Sequence, residues 1–384
     1  MGDYMEETGD PFTGKKKEEL KKFLEYMGLT YDEQITHSIV LRKEKEIIAT
    51  ASCQKNIIKC VAVSEEYQGQ NLLAHLMTSL IEYFYGMGIS HFFGFTKPQN
   101  KELFCSMGMY PVTQTEKILL LENDKNGLEK FLKRLKKETQ EQQKCKVENR
   151  HENGIGAVVM NCNPFTRGHE YLIREAAKKN KWLHIFILSE EQSFLTTRER
   201  YQLVKEGIQE IPNVILHQTS EYMISPAVFP TYFIKEKAKA YEMNCQLDIQ
   251  LFGERIAPEL NITDRYVGSE PACDVTHTYN QCLREQLPCY QIRFHEIPRK
   301  AQDYTSLVRE IPAVEAFVPR VFFRQLIHGF KRAVYYLARG YVDSWLRPVA
   351  VKAVAEENLY AAFVRLVEYR LDRVGAGDIR QRKN

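Results

Sequence analysis

The chain has 384 residues, 44% of them hydrophobic and 27% charged, enough for two or three domains with full cores, and this excludes disorder along the whole length and a collagen-like or low-complexity chain. Its 53 Lys and Arg against 50 Asp and Glu leave a net charge of +3, so the balance gives no argument for nucleic acid or a membrane surface as partner. No apolar run approaches the roughly 20 residues of a membrane helix, and residues 1–17, acidic and then basic, lack the apolar segment of a secretory signal.

Residues 16–121 mix helix and strand signals. Leu20, Phe23, Leu24 and Met27 recur at helical spacing and predict a helix from Lys16 to Met27. Short β-type runs follow at His37–Leu41, Ile47–Cys53 and Ile57–Val63, then a helix at Leu72–Tyr85 and strands at Ser90–Phe95 and Lys117–Leu121. Residues 123–153 are charged and Gln-rich. Leu128, Phe131, Leu132 and Leu135 line one stripe and read as helix, whereas Thr139–Asn153 has little to bury and reads as a linker. A first α+β domain over 1–122 and a helix-plus-linker over 123–153 are therefore expected.

Strand and helix then alternate. Strands are predicted at Ile155–Met160, Trp182–Leu188, Val214–His217 and Asp248–Phe252, with helices at Gly168–Lys179, Thr196–Glu210 and Phe229–Glu242. Thr196 with Glu199 makes a capping box at the start of the second of these helices. Such alternation predicts an α/β domain over 154–319, a parallel doubly wound sheet that binds ligands beyond the carboxyl ends of its strands. Residues 320–384 hold ten Arg and three Lys and read as two or three helices. They cap the second domain or face a protein partner; RNA is the alternative for the arginines, although no nucleic-acid partner is expected. The nine cysteines are scattered without a CxxC pair, which fits reduced thiols in a cytoplasm and argues against a zinc site.

The segment that carries chemistry runs from Gly156 to His169. A buried strand ends at Asn161, a turn containing Pro164 follows, and Thr166-Arg167-Gly168-His169 opens a helix. A helix N-terminus offers backbone N–H groups and partial positive charge to phosphate. Gly168 removes a side chain where phosphate oxygens approach the backbone. His169 can donate to an α-phosphate oxygen as negative charge grows there, and Thr166 can donate from the turn. Asn161 and Asn163 stand where a nucleotide would sit.

This segment resembles the (H/T)xGH signature of the nucleotidyltransferase superfamily. Within it, the wider text is similar to the citrate lyase ligase family. The similar stretches are Met160–His169, Ser220–Pro230, Arg265–Pro271 and Thr276–Asn280. Before the linker, Val61–Leu73 resembles the coenzyme-A-binding strand-to-helix turn of GNAT-type acetyltransferases. Gly69 fits that turn as a coenzyme-A-like contact, and Asn71 stands where Gly or Ala is usual.

The resemblance implies an acid–thiol ligase. Acetate attacks the α-phosphate of ATP, with Mg2+ bridging the phosphates. The acetyl group then passes to a prosthetic-group thiol on the citrate lyase acyl carrier subunit, and AMP and pyrophosphate are released. Another adenylyltransferase acting on a small cofactor precursor, a GNAT-type N-acetyltransferase and a non-catalytic binding module are the alternatives. Arg198 and Arg200, opening the second helix, either reach phosphate or sit on the helix surface. Gly253, taken as the end of a strand, either lets the adenosine approach or is a turn glycine. Ser225 either contacts the small acid or caps a turn. The superfamily's second signature, which clamps the leaving phosphates, is matched only by Ser306 and Arg309 within Tyr304–Arg309. No protein metal site is expected.

Overall fold

The computed structural model describes residues 4–150, 152–163, 165–189, 195–223, 237–269 and 274–298. The first sheet contains β1 (Met5–Gly9), β2 (His37–Lys43), β3 (Glu46–Gln54), β4 (Ile57–Val63), β5 (Phe93–Thr96), β6 (Tyr110–Gln114) and β7 (Leu119–Glu122), in the order β1-β2-β3-β4-β5-β7-β6. Helices α1 (Gly14–Tyr26), α2 (Leu72–Gly86) and α3 (Lys101–Ser106) accompany it. Every neighbouring pair is antiparallel except β4–β5, which needs the α2 crossover.

Both faces of this sheet are buried, and the period of two decides what each face holds. Ile39 and Leu41 of β2 and Leu119 and Leu121 of β7 share a core with Leu72, Leu76, Leu80 and Phe84 of α2. Val40 and Leu120, the residues between, join the opposite core with Leu20 and Leu24 of α1. Each such Leu or Ile contributes about 1.5–3 kcal/mol by leaving water.

Helix α4 (Gly127–Gln143) continues past Thr139, so part of the stretch expected as linker is helical. The rest is strapped along the second sheet. The Gln142 side-chain amide donates to the Leu216 carbonyl at 2.8 Å and its oxygen accepts from the Leu216 N–H at 2.9 Å. Lys146 Nζ donates to the Val214 carbonyl and Val147 N to the Pro212 carbonyl. These polar residues bury little apolar surface because their work is to satisfy an exposed strand edge, which hydrophobic patterning does not register.

The second sheet holds β8 (Ile155–Met160), β9 (Trp182–Ile187), β10 (Val214–Gln218), β11 (Asp264–Gly268) and β12 (Arg293–Ile297), all parallel, in the order β10-β9-β8-β11-β12. Helices α5 (Arg167–Lys178) and α6 (Thr197–Gly207) connect the first three strands. Helix α7 (Lys237–Leu251), a π-helical turn (Phe252–Ile256), α8 (Ala257–Leu260) and α9 (Asp274–Gln286) complete the winding. The parallel α/β domain is therefore as expected, with one correction.

Asp248–Phe252 is not a strand. It is the end of α7 and the start of the π turn. Cys245, Leu247, Ile249, Leu251 and Phe252 are all buried. A helix surrounded by core shows no 3.6-residue stripe, and its local alternation imitates a strand. The fourth strand is β11, whose opening Asp264-Arg265 hides it from hydropathy. Besides β11, which lies between β8 and β12, the strands that went unread are β1, β6 and β12, all polar sheet edges. Of the helix expected at Phe229–Glu242, residues 229–236 lie outside the described residues, as does the tail.

A buried imidazole pair ties β9 and β10 to α4. His184 Nδ1 and His217 Nε2 are 2.9 Å apart, and His217 Nδ1 lies 2.9 Å from Glu138 Oε2. Burial holds both imidazoles below their ordinary value of 6.5, in His217 against the pull of Glu138. Unfolded, both take protons as pH falls through about 6.5; folded, they resist until lower pH. This stability is present in full above pH 6.5 and is lost below it, at up to about 1.4 kcal/mol per pH unit for each ring. Urea unfolding should show lower stability at pH 5.5 than at pH 7.5, by up to about 2–3 kcal/mol, and His184→Phe should remove about half of the difference. An undiminished difference in the variant would refute the assignment.

Candidate active site

In this strand order the direction of winding reverses between β8 and β11, where doubly wound sheets open a crevice at the carboxyl ends of the strands. The Thr166–His169 turn stands there. Thr166 is the extended N-cap of α5 (φ −122°, ψ 165°), and its hydroxyl accepts from the His169 N–H. His169 occupies the place that Glu or Gln fills in an ordinary capping box. The Thr166 N–H donates to His169 Nδ1 at 3.1 Å, and the Thr166 hydroxyl lies 2.9 Å from the same nitrogen.

A backbone N–H can only donate, so Nδ1 is an acceptor and the neutral ring carries its proton on Nε2. The Phe165 ring stacks on the imidazole, with centroids 6.0 Å apart and 17° between planes. Phe165 rests in turn on Gly207 of α6, where a Cβ would collide with the ring. The turn thus fixes tautomer and ring plane together. Gly168 is exposed, and a Cβ placed on it would meet only the Thr166 hydroxyl, at 3.6 Å. The first turn of α5 therefore faces open space, with the positive end of the helix behind it.

The structure gathers Asn161, Asn163, Thr166, Gly168, His169 and Arg200 at this one strand-to-helix turn. It corrects the part three of them play. Arg200 is fully buried. Its Nη1 donates to the Asn161 carbonyl at 2.6 Å and to Asn161 Oδ1 at 2.5 Å, its Nε to the Leu195 carbonyl, and its Nη2 to Thr197 Oγ1. A guanidinium so held does not reach out to a phosphate. Asn163 Oδ1 accepts from the Leu195 N–H at 3.1 Å. These side chains bind the end of β8 to the start of α6, which opens with the Thr196–Glu199 capping box expected from sequence. Arg198 is exposed on the same turn.

Gly253 lies in the π turn, buried, where a Cβ would strike the Tyr290 ring. It is not a strand end, and close ring packing rather than a ligand accounts for its missing side chain. Ser225, Ser306 and Arg309 lie outside the described residues. In the first domain, Gly69 (φ +78°) and Asn71 (φ +59°) turn the chain in left-handed conformations into α2, whose start carries no side-chain cap. The β4–β5 ladder there has only two rows, Ile57 with Phe93 and Ile58 with Gly94.

Three features escaped the sequence reading. Cys162 is buried in the site loop at φ +52°, and burial pushes its thiol up. Asn280 of α9 donates to the Gly268 carbonyl at 3.1 Å, fixing the carboxyl end of β11. Tyr222 anchors the segment after β10 on the first sheet. Its hydroxyl donates to Glu122, which also lies 2.7 Å from His91 Nε2 and accepts from the Leu128 N–H at 3.1 Å. Asn56 Nδ2 donates to the neighbouring Glu221 at 3.1 Å. The only advance signal was that Cys162, Tyr222 and Asn280 sit in family-like stretches. Among the described residues, no group of three or more His, Cys, Asp or Glu is arranged to hold a metal, and no helix is long and apolar enough to cross a membrane.

Comparison with known proteins places these observations. Residues 155–318 match the family model described as the citrate lyase ligase C-terminal domain, and residues 3–105 match the acetyltransferase (GNAT) family. The [citrate [pro-3S]-lyase] ligase of Escherichia coli K12 is 35% identical over 329 residues, covering 81% of this chain and 90% of that protein. The Klebsiella pneumoniae ligase is 36% identical over 273 residues, 71% of this chain and 77% of that protein. A phosphopantetheine adenylyltransferase of Streptococcus gordonii is 25% identical over 162 residues, 41% of this chain and 93% of that protein. Two domain models in this order, with more than a third of the residues shared across nine-tenths of a relative's length, mean that the chain belongs to the citrate lyase ligase family.

Proposed function

We propose that this chain is an ATP-dependent acid–thiol ligase that activates acetate as acetyl-adenylate and acetylates the prosthetic-group thiol of the citrate lyase acyl carrier subunit. The observation that carries the reading is the Thr166–His169 capping box, which commits Nδ1 to the backbone and leaves the ring proton on Nε2 at the switch point. An acetate oxygen attacks the α-phosphorus, the bond to the β-phosphate oxygen breaks, and pyrophosphate leaves. Negative charge grows on the α-phosphate oxygens, where the His169 N–H and the N-terminus of α5 stabilise it. The carrier thiolate then attacks the acetyl carbonyl, and AMP departs with the electron pair of the broken C–O bond.

No side chain of the site needs to become a covalent nucleophile; position and charge suffice. Mg2+ fits this arrangement as an ion carried by the phosphates and water, its usual habit. Ser306 and Arg309 are assigned to the leaving phosphates and Ser225 to the small acid. Gly69 and the start of α2 are assigned to a coenzyme-A-like portion of the thiol carrier. Asn161, Asn163 and Arg200 act by holding the turn, and the reaction belongs in the cytoplasm, where ATP is supplied.

The test is to incubate the chain with ATP, Mg2+, acetate and deacetylated citrate lyase, and to measure pyrophosphate release and recovery of lyase activity. Release that ignores acetate but responds to a phosphorylated cofactor precursor would assign the other adenylyltransferase reaction. Acetyl transfer from acetyl-coenzyme A without ATP would assign the first domain as the catalyst. Gly168→Ala gives an independent check. The methyl has room and Ala favours a helix by up to about 1 kcal/mol over Gly, so stability should hold or rise. Turnover should fall by roughly tenfold or more, because the methyl occupies the space given to phosphate. Equal turnover would remove Gly168 from the site.

A further inference from the structure

Helices α7 and α9 pack together, and the Tyr279 hydroxyl of α9 donates to the Asp248 carboxylate of α7. Cys245 lies three residues before Asp248, and Cys282 three residues after Tyr279. The carboxyl ends of the two helices lie together, since a Cβ on Gly253 would strike the Tyr290 ring. The 37-residue offset of that pair is also the offset of Cys245 and Cys282, so in helices running side by side the two cysteines face each other. They do: the Cys245 thiol hydrogen-bonds to the Cys282 sulfur. Both belong to the same core, Cys245 fully buried and Cys282 9% exposed.

The surroundings are polar enough to admit a small polar molecule. Next to Cys245, neither amide atom of Asn244 has a hydrogen-bond partner among the described residues, and the same holds for Nε and Nη1 of the buried Arg265. Buried polar atoms left in this state commonly mark the place of a water or another small guest. Nothing in the proposed ligase chemistry uses these thiols.

We propose that Cys245 and Cys282 are an oxidation site, a dithiol that a peroxide converts to a reversible disulfide across α7 and α9. Cys282 reacts first, because the hydrogen bond from Cys245 favours its thiolate and holds it below the ordinary thiol range, against burial and the carboxylates of Glu242 and Glu285. The Cys282 thiolate attacks one peroxide oxygen, the O–O bond breaks, and the departing hydroxide takes a proton to become water. Cys282 is then a sulfenic acid. The Cys245 sulfur attacks it, the S–O bond breaks, the second oxygen leaves as water with the Cys245 proton, and the S–S bond closes. Two thiols lose two electrons, and the peroxide becomes two waters. A dithiol reductant reverses the change. The closed loop contains β11 and Asn280, so oxidation would fasten the segment that fixes the Gly268 carbonyl.

The experiment treats the reduced full chain with hydrogen peroxide, denatures and alkylates it, and maps its peptides without reduction. The expected result is a peptide pair joining Cys245 to Cys282, lighter by two hydrogens and absent after dithiothreitol treatment. Cys282→Ser should abolish it while the melting curve shows a folded protein. Cys245→Ser, which keeps a hydrogen-bond donor to Cys282 but no resolving sulfur, should leave the sulfenic acid unresolved, raising dimedone capture at Cys282 by roughly fivefold. Recovery of both positions as free thiols after the exposed Cys145 and Cys289 have reacted would overturn the proposal. So would a cross-link that joins other cysteines instead.

Discussion

Replacing His169 by alanine is expected to lower kcat for acetate-dependent pyrophosphate release by roughly 100–1000-fold, the usual effect of deleting one donor aimed at developing negative charge. The KM for ATP should move far less, because the donor matters most when charge builds on the α-phosphate rather than when ATP merely binds. Alanine also removes the acceptor of the Thr166 N–H, a cap loss of about 1 kcal/mol. That could be mistaken for a catalytic effect. His169→Glu separates the two, because Glu is a normal capping-box partner at this position and its carboxylate has no N–H to donate to phosphate. It should restore the melting temperature and leave the rate low. A rate restored along with stability would show that His169 serves the helix and not the phosphate.

The turn itself was legible because everything in it is local. Thr166, Gly168 and His169 span four residues, and the chemistry of a strand followed by a helix N-terminus is written in their order. Thr196 and Glu199 are equally near each other, and their capping box formed as read. What was not legible depends on partners far along the chain. Asp264 opens β11 because Arg293, 29 residues away, donates to it at 2.8 and 2.7 Å and His295 lies 2.6 Å from it. Without those partners in view, an Asp-Arg pair argues against a buried strand. Tyr222 finds Glu122 across 100 residues. Helix α7 misled for the opposite reason. It is buried on so many sides that the periodicity that identifies a helix is absent. Hydropathy reports how a segment meets solvent, so it fails at polar edges and in fully enclosed elements alike.

Arg200 shows the same limit in a site residue, and its replacement has the second large effect. An arginine at the start of a helix near a phosphate-binding turn reads as a phosphate ligand. The structure buries it completely and gives its guanidinium to Asn161, Leu195 and Thr197. Arg200→Met keeps the length and the burial but leaves the Asn161 and Leu195 carbonyls short of a donor. Unmade hydrogen bonds inside the protein cost about 1–3 kcal/mol each, so a loss of roughly 3–5 kcal/mol of unfolding free energy is expected. Arg200→Lys should recover only part of it, since one ammonium does not reproduce the planar fork that reaches carbonyls on two elements. Arg198→Ala, exposed one position from the helix start, should change stability by less than about 0.5 kcal/mol. Denaturant unfolding of the three variants, with ATP binding measured on each, decides between the readings. A phosphate ligand would weaken ATP binding and spare stability. The buried tie should do the reverse at low denaturant, where Arg200→Met is still folded, and its catalytic cost should then appear as a misplaced Asn161–His169 turn rather than as a lost contact to ATP.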